Sequence, residues 1–165
     1  MSENNAALQE LLDKQAIREL VARISRAIDR GDVALLASCY HPDAKEERDG
    51  HIREGATIAS EIVESTDKSM QSTCHILAQQ LIEISGDKAV SETYGTGRHV
   101  FKDGRLSRTV VRYADRLEKR DGEWKILYRL AVAEARDVEP APAGPPFVSL
   151  ARRDKSDPTY ALFSS

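Results

Sequence analysis

Four long runs, "STCHILAQQLIEI", "KAVSETYGTGRHVF", "LSRTVVRYADRLEKR" and "EWKILYRLAVAEARDV", follow one another from residue 72 to residue 138, separated only by "SGD", "KDG" and "RDG". Such Gly- and Asp-containing separators are hairpin chemistry, so each reverses the chain and pairs each run with the next. The result is a meander of four long antiparallel strands, and such a sheet must bury one face. The covering material lies upstream. Residues 6–30 carry Ile17, Leu20, Val21, Ile24 and Ile28 at the helical period. Gly31 is a stop signal, and Asp32 reads as the N-cap of a second helix, "VALLASCY". The proline of "HPDA" ends that helix. "AKEERDGHIREG" reads as two short strands around Asp49-Gly50, and residues 56–64 as a further amphipathic helix through Ile58, Ile62 and Val63. Helices followed by a strand meander mean α+β, with the helices on one face of a curved, mostly antiparallel sheet. Gly95 and Gly97 are unusual inside a strand and mark a bend, a bulge or a close approach to the sheet.

A chain of 165 residues fits one domain, here residues 1–138, followed by an arm, 139–165, that holds five of the six prolines. The arm also carries Phe147, Val148, Leu150, Tyr160, Leu162 and Phe163, too many apolar residues for a solvated tail. It is expected to pack on the domain or on a neighbouring subunit. With 24 basic and 27 acidic residues there is no basic stripe for nucleic acid. No apolar run is long enough to span a membrane. The polar start "MSENNAALQE" does not read as a signal peptide, and Cys39 and Cys74 lack CxxC spacing. These features make the cytoplasm the expected compartment. His41, His51, His75 and His99 show no metal-ligand spacing, and no phosphate-binding glycine loop or nucleophile elbow occurs. No metal and no cofactor is therefore expected.

The stretches "AIDRGD", "CYHPDA", "CHILAQQLIEISGDKAV", "RYADRLEKRDGEWKI" and "ARRDKSDPTYALF" span nearly the whole chain. In order and spacing the chain resembles the SnoaL-like branch of the nuclear transport factor 2-like superfamily. The resemblance implies a cone-shaped α+β barrel, its helices and curved sheet enclosing a deep pocket. Enzymes of this branch, such as scytalone dehydratase, hexachlorocyclohexane dehydrochlorinase and bile-acid 7α-dehydratase, work without a cofactor. They pair a histidine on the first long strand with an aspartate at the end of the first long helix, and the matching residues are His75 and Asp29. An arginine on the last strand of the dehydrochlorinase is matched by Arg129. Ile24 stands where some relatives assist catalysis with tyrosine or lysine, and Arg48 where the scytalone enzyme has a tyrosine. Relatives with the His–Asp pair often form trimers, and others in the superfamily form dimers.

The residues themselves leave alternatives open. His75 is either a core histidine satisfied by a carbonyl or a general base. Asp29 lies about 120° from the centre of the Ile17–Ile28 stripe, which reads as surface. Arg129 alternates with Leu127, Ala131 and Ala133, so it faces a pocket or forms a surface ion pair. His99 shares a face with Gly95 and Gly97 and is a candidate second acid–base group. Glu46 and Arg48 either line the pocket or belong to a solvated hairpin. Taken with the resemblance, these positions imply a lyase with His75 and Asp29 as acid–base pair, and with Arg129, His99 and Arg48 as substrate-binding groups. Its expected partner is a small hydrophobic or phenolic ring compound. A ketosteroid-isomerase-like proton shuffle and a non-catalytic binding module are the alternatives. Strict alternation puts Trp124, Ile126, Tyr128, Leu130 and Val132 on the outer face, which predicts a homo-oligomer, a trimer before a dimer.

Overall fold

The computed structural model describes residues 3–144 and 150–163. Helix α1 (Glu3–Arg30) and the short α2 (Val33–Ser38) come first, with Asp32 Oδ1 accepting the Leu35 N–H as the expected N-cap. Strand β1 (Tyr40–Arg48) starts at Tyr40, earlier than the sequence pattern indicates, and turns into β2 (His51–Glu54). A 3-10 turn (Gly55–Thr57) leads into α3 (Ile58–Ser69). The meander is β3 (Met70–Ser85), β4 (Lys88–Phe101), β5 (Arg105–Arg120) and β6 (Glu123–Pro140). Strand β6 runs two residues past the sequence-based boundary, pairing Glu139 with Leu106 and Pro140 with Arg105. A last short helix, α4, spans Tyr160–Phe163. Asp49-Gly50 and Asp121-Gly122 have positive φ at both positions, the geometry of a tight hairpin turn matched to strand twist.

The six strands form one sheet in the order β2-β1-β6-β5-β4-β3, antiparallel throughout except for the parallel β1–β6 pair. Extra residues interrupt the register between Leu77 and Gln80 in β3, at Leu127 and Glu134 in β6, and between Tyr40 and Lys45 in β1. Each bulge bends its strand and increases the local twist. The helices fill the concave side. Ile17, Leu20, Ile24, Leu36, Ile58 and Ile62 pack there against Ile82, Ala89, Leu117, Trp124 and Ile126. The core occupies the end of the cone near the β3–β4 and β5–β6 turns. Trp124 Nε1 and Lys119 Nζ both donate to Asp13 of α1, which ties that end shut.

The bulge at Leu127 corrects the sequence-based reading of β6. Strict alternation puts Trp124 and Ile126 on the outer face, but one extra residue inverts the parity, and both turn inward. Tyr128, Leu130 and Val132 remain outside, half-buried. Ile76, Leu81, Val90 and Val110 are exposed there too. No described helix is long and apolar enough to cross a membrane.

The described part of the arm packs on its own domain. Arg153 Nη1 donates to the Ile28 carbonyl (2.6 Å) and pairs with Asp67 of α3. Arg30 faces the buried Asp157 carboxylate (3.2 Å), and Lys155 and Tyr160 both reach Asp32. Arg26 lies over the rings of Tyr160 and Phe163. Phe147 and Val148 lie outside the described residues. Ile126 is fully buried, so Ile126→Ala is expected to cost roughly 2–5 kcal/mol. Urea denaturation checks this through a lower midpoint at unchanged slope.

Candidate active site

The wide end of the cone holds a cavity of about 280 Å³, lined by His75, His99, Arg48, Arg136, Tyr113 and Phe101 among others. Here the sheet's inner face carries small residues, Gly97, Ala131 and Ala133, which leave the space open. Alternation along β3 turns Thr73 and His75 towards the last turn of α1. Asp29 meets them there, and it is buried. Its Oδ1 accepts from His75 Nδ1 (2.6 Å) and from the Thr73 hydroxyl (3.1 Å), and its Oδ2 accepts from the His75 backbone N–H (2.8 Å). Burial pushes the Asp29 carboxyl up. The bonds from His75, the charge that ring carries once protonated, and the Thr73 hydroxyl outweigh that and hold it below its ordinary value.

The network fixes both histidine tautomers. A carboxylate only accepts, so His75 Nδ1 carries a proton, and in the neutral ring Nε2 keeps the lone pair. The Thr73 hydroxyl spends its hydrogen on Asp29, so at His99 Nδ1 (3.0 Å) it accepts, and His99 likewise keeps a free Nε2 lone pair. The two rings stand edge to face with centroids 5.3 Å apart. Burial, then the charges of a protonated His75 and of Arg48, against the pull of Asp29 and with a push from Arg136, lowers His99 to about 4. His99 is therefore neutral at pH 7 and accepts hydrogen bonds there. The His99 ring explains Gly97, because a Cβ at that position would lie 2.5 Å from His99 Nε2. A Cβ at Gly95 would come within 3.1 Å of the Ile76 carbonyl. The close approach expected at these glycines comes from the sheet's own residues.

Two sequence-based placements need correction. Asp29 is a surface residue on the helical wheel of α1 but is covered by β3, because the sheet extends beyond the apolar stripe and wraps the helix end. Arg129 faces inward but does not line the cavity. It is almost fully buried, its Nε and Nη2 each 2.7 Å from the Asp115 carboxylate, and Tyr113 stacks on its guanidinium from the cavity side. The structure places Arg48 and His99 on the cavity wall, as one of the sequence alternatives has it. Arg136 was missed. Alternation from Arg129 assigns it to the outer face, and the bulge at Glu134 turns it inward. Thr73 was missed as well, although alternation puts it on the face of His75.

Comparison with known proteins gives a consistent picture. The family model described as SnoaL-like domain matches residues 9–129. A type 2 hexachlorocyclohexane dehydrochlorinase superposes with a TM-score of 0.80 at 20% identity, covering 86% of this chain and 99% of that one. A type 3 hexachlorocyclohexane dehydrochlorinase from Novosphingobium barchaimii gives 0.76 at 22%, covering 86% and 98%. A Mycobacterium tuberculosis protein of unknown function gives 0.69 at 26%, covering 81% and 77%. For the first two, identity this low establishes the shared fold and nothing finer. No curated protein matches significantly.

The site generates a pH dependence of stability. His99 binds a proton more readily unfolded (about 6.5) than folded (about 4), so its contribution is whole above 6.5 and is lost as pH falls towards 4. Asp29 has the usual carboxylate sign, its contribution lost only as pH falls below about 3.9 through its lowered folded value. Urea midpoints across pH 3–8 are expected to fall less steeply between 6.5 and 4 in His99→Gln than in wild type. The deficit of Asp29→Asn is expected to be largest near neutrality and to shrink in acid.

Proposed function

The chain belongs to the SnoaL-like family, and on that premise we propose that it is a cofactor-independent lyase acting on a small ring-containing compound. One observation carries the reading: a histidine whose Nδ1 proton is locked by a buried carboxylate and whose Nε2 lone pair faces a cavity. A carboxylate in that position orients the ring and stabilises the imidazolium once a proton is taken. Lyase chemistry in the named neighbours, the dehydrochlorinases, supports this class of reaction.

In an elimination, His75 Nε2 takes a proton from carbon, the C–H pair becomes a double bond, and halide or water departs with its bonding pair. Departing water needs a proton, which the His75 imidazolium returns. In a retro-aldol cleavage His75 takes the hydroxyl proton instead. The O–H pair forms the carbonyl of a small fragment such as formaldehyde, and the broken C–C pair stays on the ring fragment. Either route develops negative charge. Arg48 and Arg136 stand on the cavity wall to meet it, while Arg129 is committed to Asp115. His99, neutral, accepts a hydrogen bond from a substrate hydroxyl. Phe101, Val111 and Tyr113 give the cavity apolar walls for a ring.

The outer sheet face extends the proposal to assembly: a homo-oligomer, a trimer before a dimer, with the sheet backs carrying Ile76, Leu81, Val90 and Val110 in the interface. Sedimentation equilibrium at micromolar concentration is expected to give a multiple of 18.3 kDa. A monomer would overturn the interface.

Activity tests the chemistry. In a screen of alicyclic and aromatic compounds read by mass spectrometry, His75→Ala is expected to lower kcat/KM by roughly 10²–10⁴-fold. Asp29→Asn is expected to cost somewhat less. Product of unchanged mass in wild type would replace the lyase by an isomerase that uses the same base. Turnover indifferent to His75→Ala would remove the base from the mechanism.

A further inference from the structure

Building on the reading of this cavity as the active site, we infer that its ligand carries a carboxylate, held between the guanidinium groups of Arg48 and Arg136. The inference starts from the contrast with arginines of the sheet that each hold a carboxylate partner. Arg129 is buried and receives a dedicated bidentate carboxylate from Asp115. Arg108 pairs with Glu139, and Arg112 with Glu92 and Glu134. The two cavity arginines have no such partner. Arg136 donates from Nε to the Ser107 hydroxyl (3.1 Å) and is in no ion pair among the described residues. Glu134 and Glu139 on its strand are taken by Arg112 and Arg108, and the adjacent Asp137 alternates to the opposite face of the sheet. Arg48 has a buried Nε–H without an acceptor among the described residues. Its nearest carboxylate oxygen, Glu46 Oε1, is 3.8 Å from Nη2 and lies also 3.9 Å from Arg53, while the other Glu46 oxygen accepts the Tyr40 hydroxyl (2.7 Å).

The remaining charges do not neutralise the pair. Asp29 is spent on His75 and Thr73. Asp49, also on the wall, sits exposed at the β1–β2 turn. The field of the two arginines is felt inside the cavity, where it helps keep His99 unprotonated. A buried guanidinium N–H lacking an acceptor is costly, and a planar anion that takes two parallel hydrogen bonds is its best complement. A carboxylate fits this description, and the cavity has room for it beside a single ring against Phe101 and Tyr113. Anchored there, the carboxylate fixes which end of the ring compound reaches His75.

Calorimetric titration of the full chain with paired probes tests this: benzoate against benzamide, and phenylacetate against phenylacetamide. Each acid is expected to bind about tenfold or more tightly than its amide, a difference of the size charge-assisted hydrogen bonds supply. Raising the salt concentration should weaken the acids alone. Arg136→Gln and Arg48→Gln are each expected to remove most of the preference, with Arg136→Lys retaining part of it and circular dichroism checking the fold. His75→Gln is expected to keep the preference, since it removes the base and not the anchor. Equal affinity for acid and amide, no binding of either, or a preference indifferent to both arginines would overturn the inference. The acid preference without any His75-dependent turnover would sink the lyase reading and leave this one standing. Turnover of a neutral compound that neither acid inhibits would do the reverse.

Discussion

The carboxylate of Asp29 is the joint on which the wide end of the cone depends. It is a buried anion at the C-terminal end of a long helix, where the helix dipole disfavours negative charge. Left unpaired it would be strongly destabilising. Three donors from β3 compensate it, two side-chain groups and one backbone N–H. The bonds that make the charge tolerable also fix the distance between helix and strand and the orientation of the His75 ring. The stability of this end and the orientation of the His75 ring therefore share one cause.

The far side of the same helix turn is held by the arm. Arg153 brings a cation to the Ile28 carbonyl, one of the acceptors a helix end leaves open, and it complements the dipole that Asp29 opposes. Gly31 allows this approach, since a Cβ there would meet the Arg153 carbonyl oxygen at 2.9 Å and its φ is +63°. The buried Asp157 collects Arg30, the Arg152 and Thr159 backbone N–H groups and the Thr159 hydroxyl, which keeps the carboxyl near 2. Asp29 is thus braced from the strand on one side and, through its helix turn, from the arm on the other. Towards the narrow end a buried polar belt of Arg129, Asp115, Tyr40 and Glu46 separates cavity from core. Replacing such a buried pair with apolar groups is often neutral for stability.

Legibility in the sequence followed the physical regularity of each signal. Turn dipeptides and period-2 runs are local, and the four strands and their order stand where those signals put them. The helical stripe of α1 gave its core residues correctly, Ile17, Leu20 and Ile24. Alternation failed wherever a bulge intervened. One extra residue at Leu127 turned Trp124 and Ile126 inward, and another at Glu134 brought Arg136 into the cavity. Neither bulge has a glycine or proline to announce it. The helical wheel failed at Asp29 for a different reason, because it knows only one helix and not how far the sheet wraps around it. The arginine that matched the relatives by position, Arg129, lies one bulge away from the arginine that reaches the cavity.

Two histidines on neighbouring strands, with rings 5.3 Å apart, are separated in role by a single hydroxyl. His75 has a carboxylate on Nδ1, so a proton arriving at Nε2 creates an imidazolium beside a negative charge. His99 has only the Thr73 oxygen on Nδ1. Its imidazolium would face His75, Arg48 and Arg136 with little compensation, and it stays neutral. Were both paired with acids, two imidazolium ions would compete for one cavity. Were neither paired, neither ring would be held in place. By donating to Asp29 and accepting from His99, Thr73 ties the two rings into one network, with a carboxylate on Nδ1 of one and a hydroxyl oxygen on Nδ1 of the other.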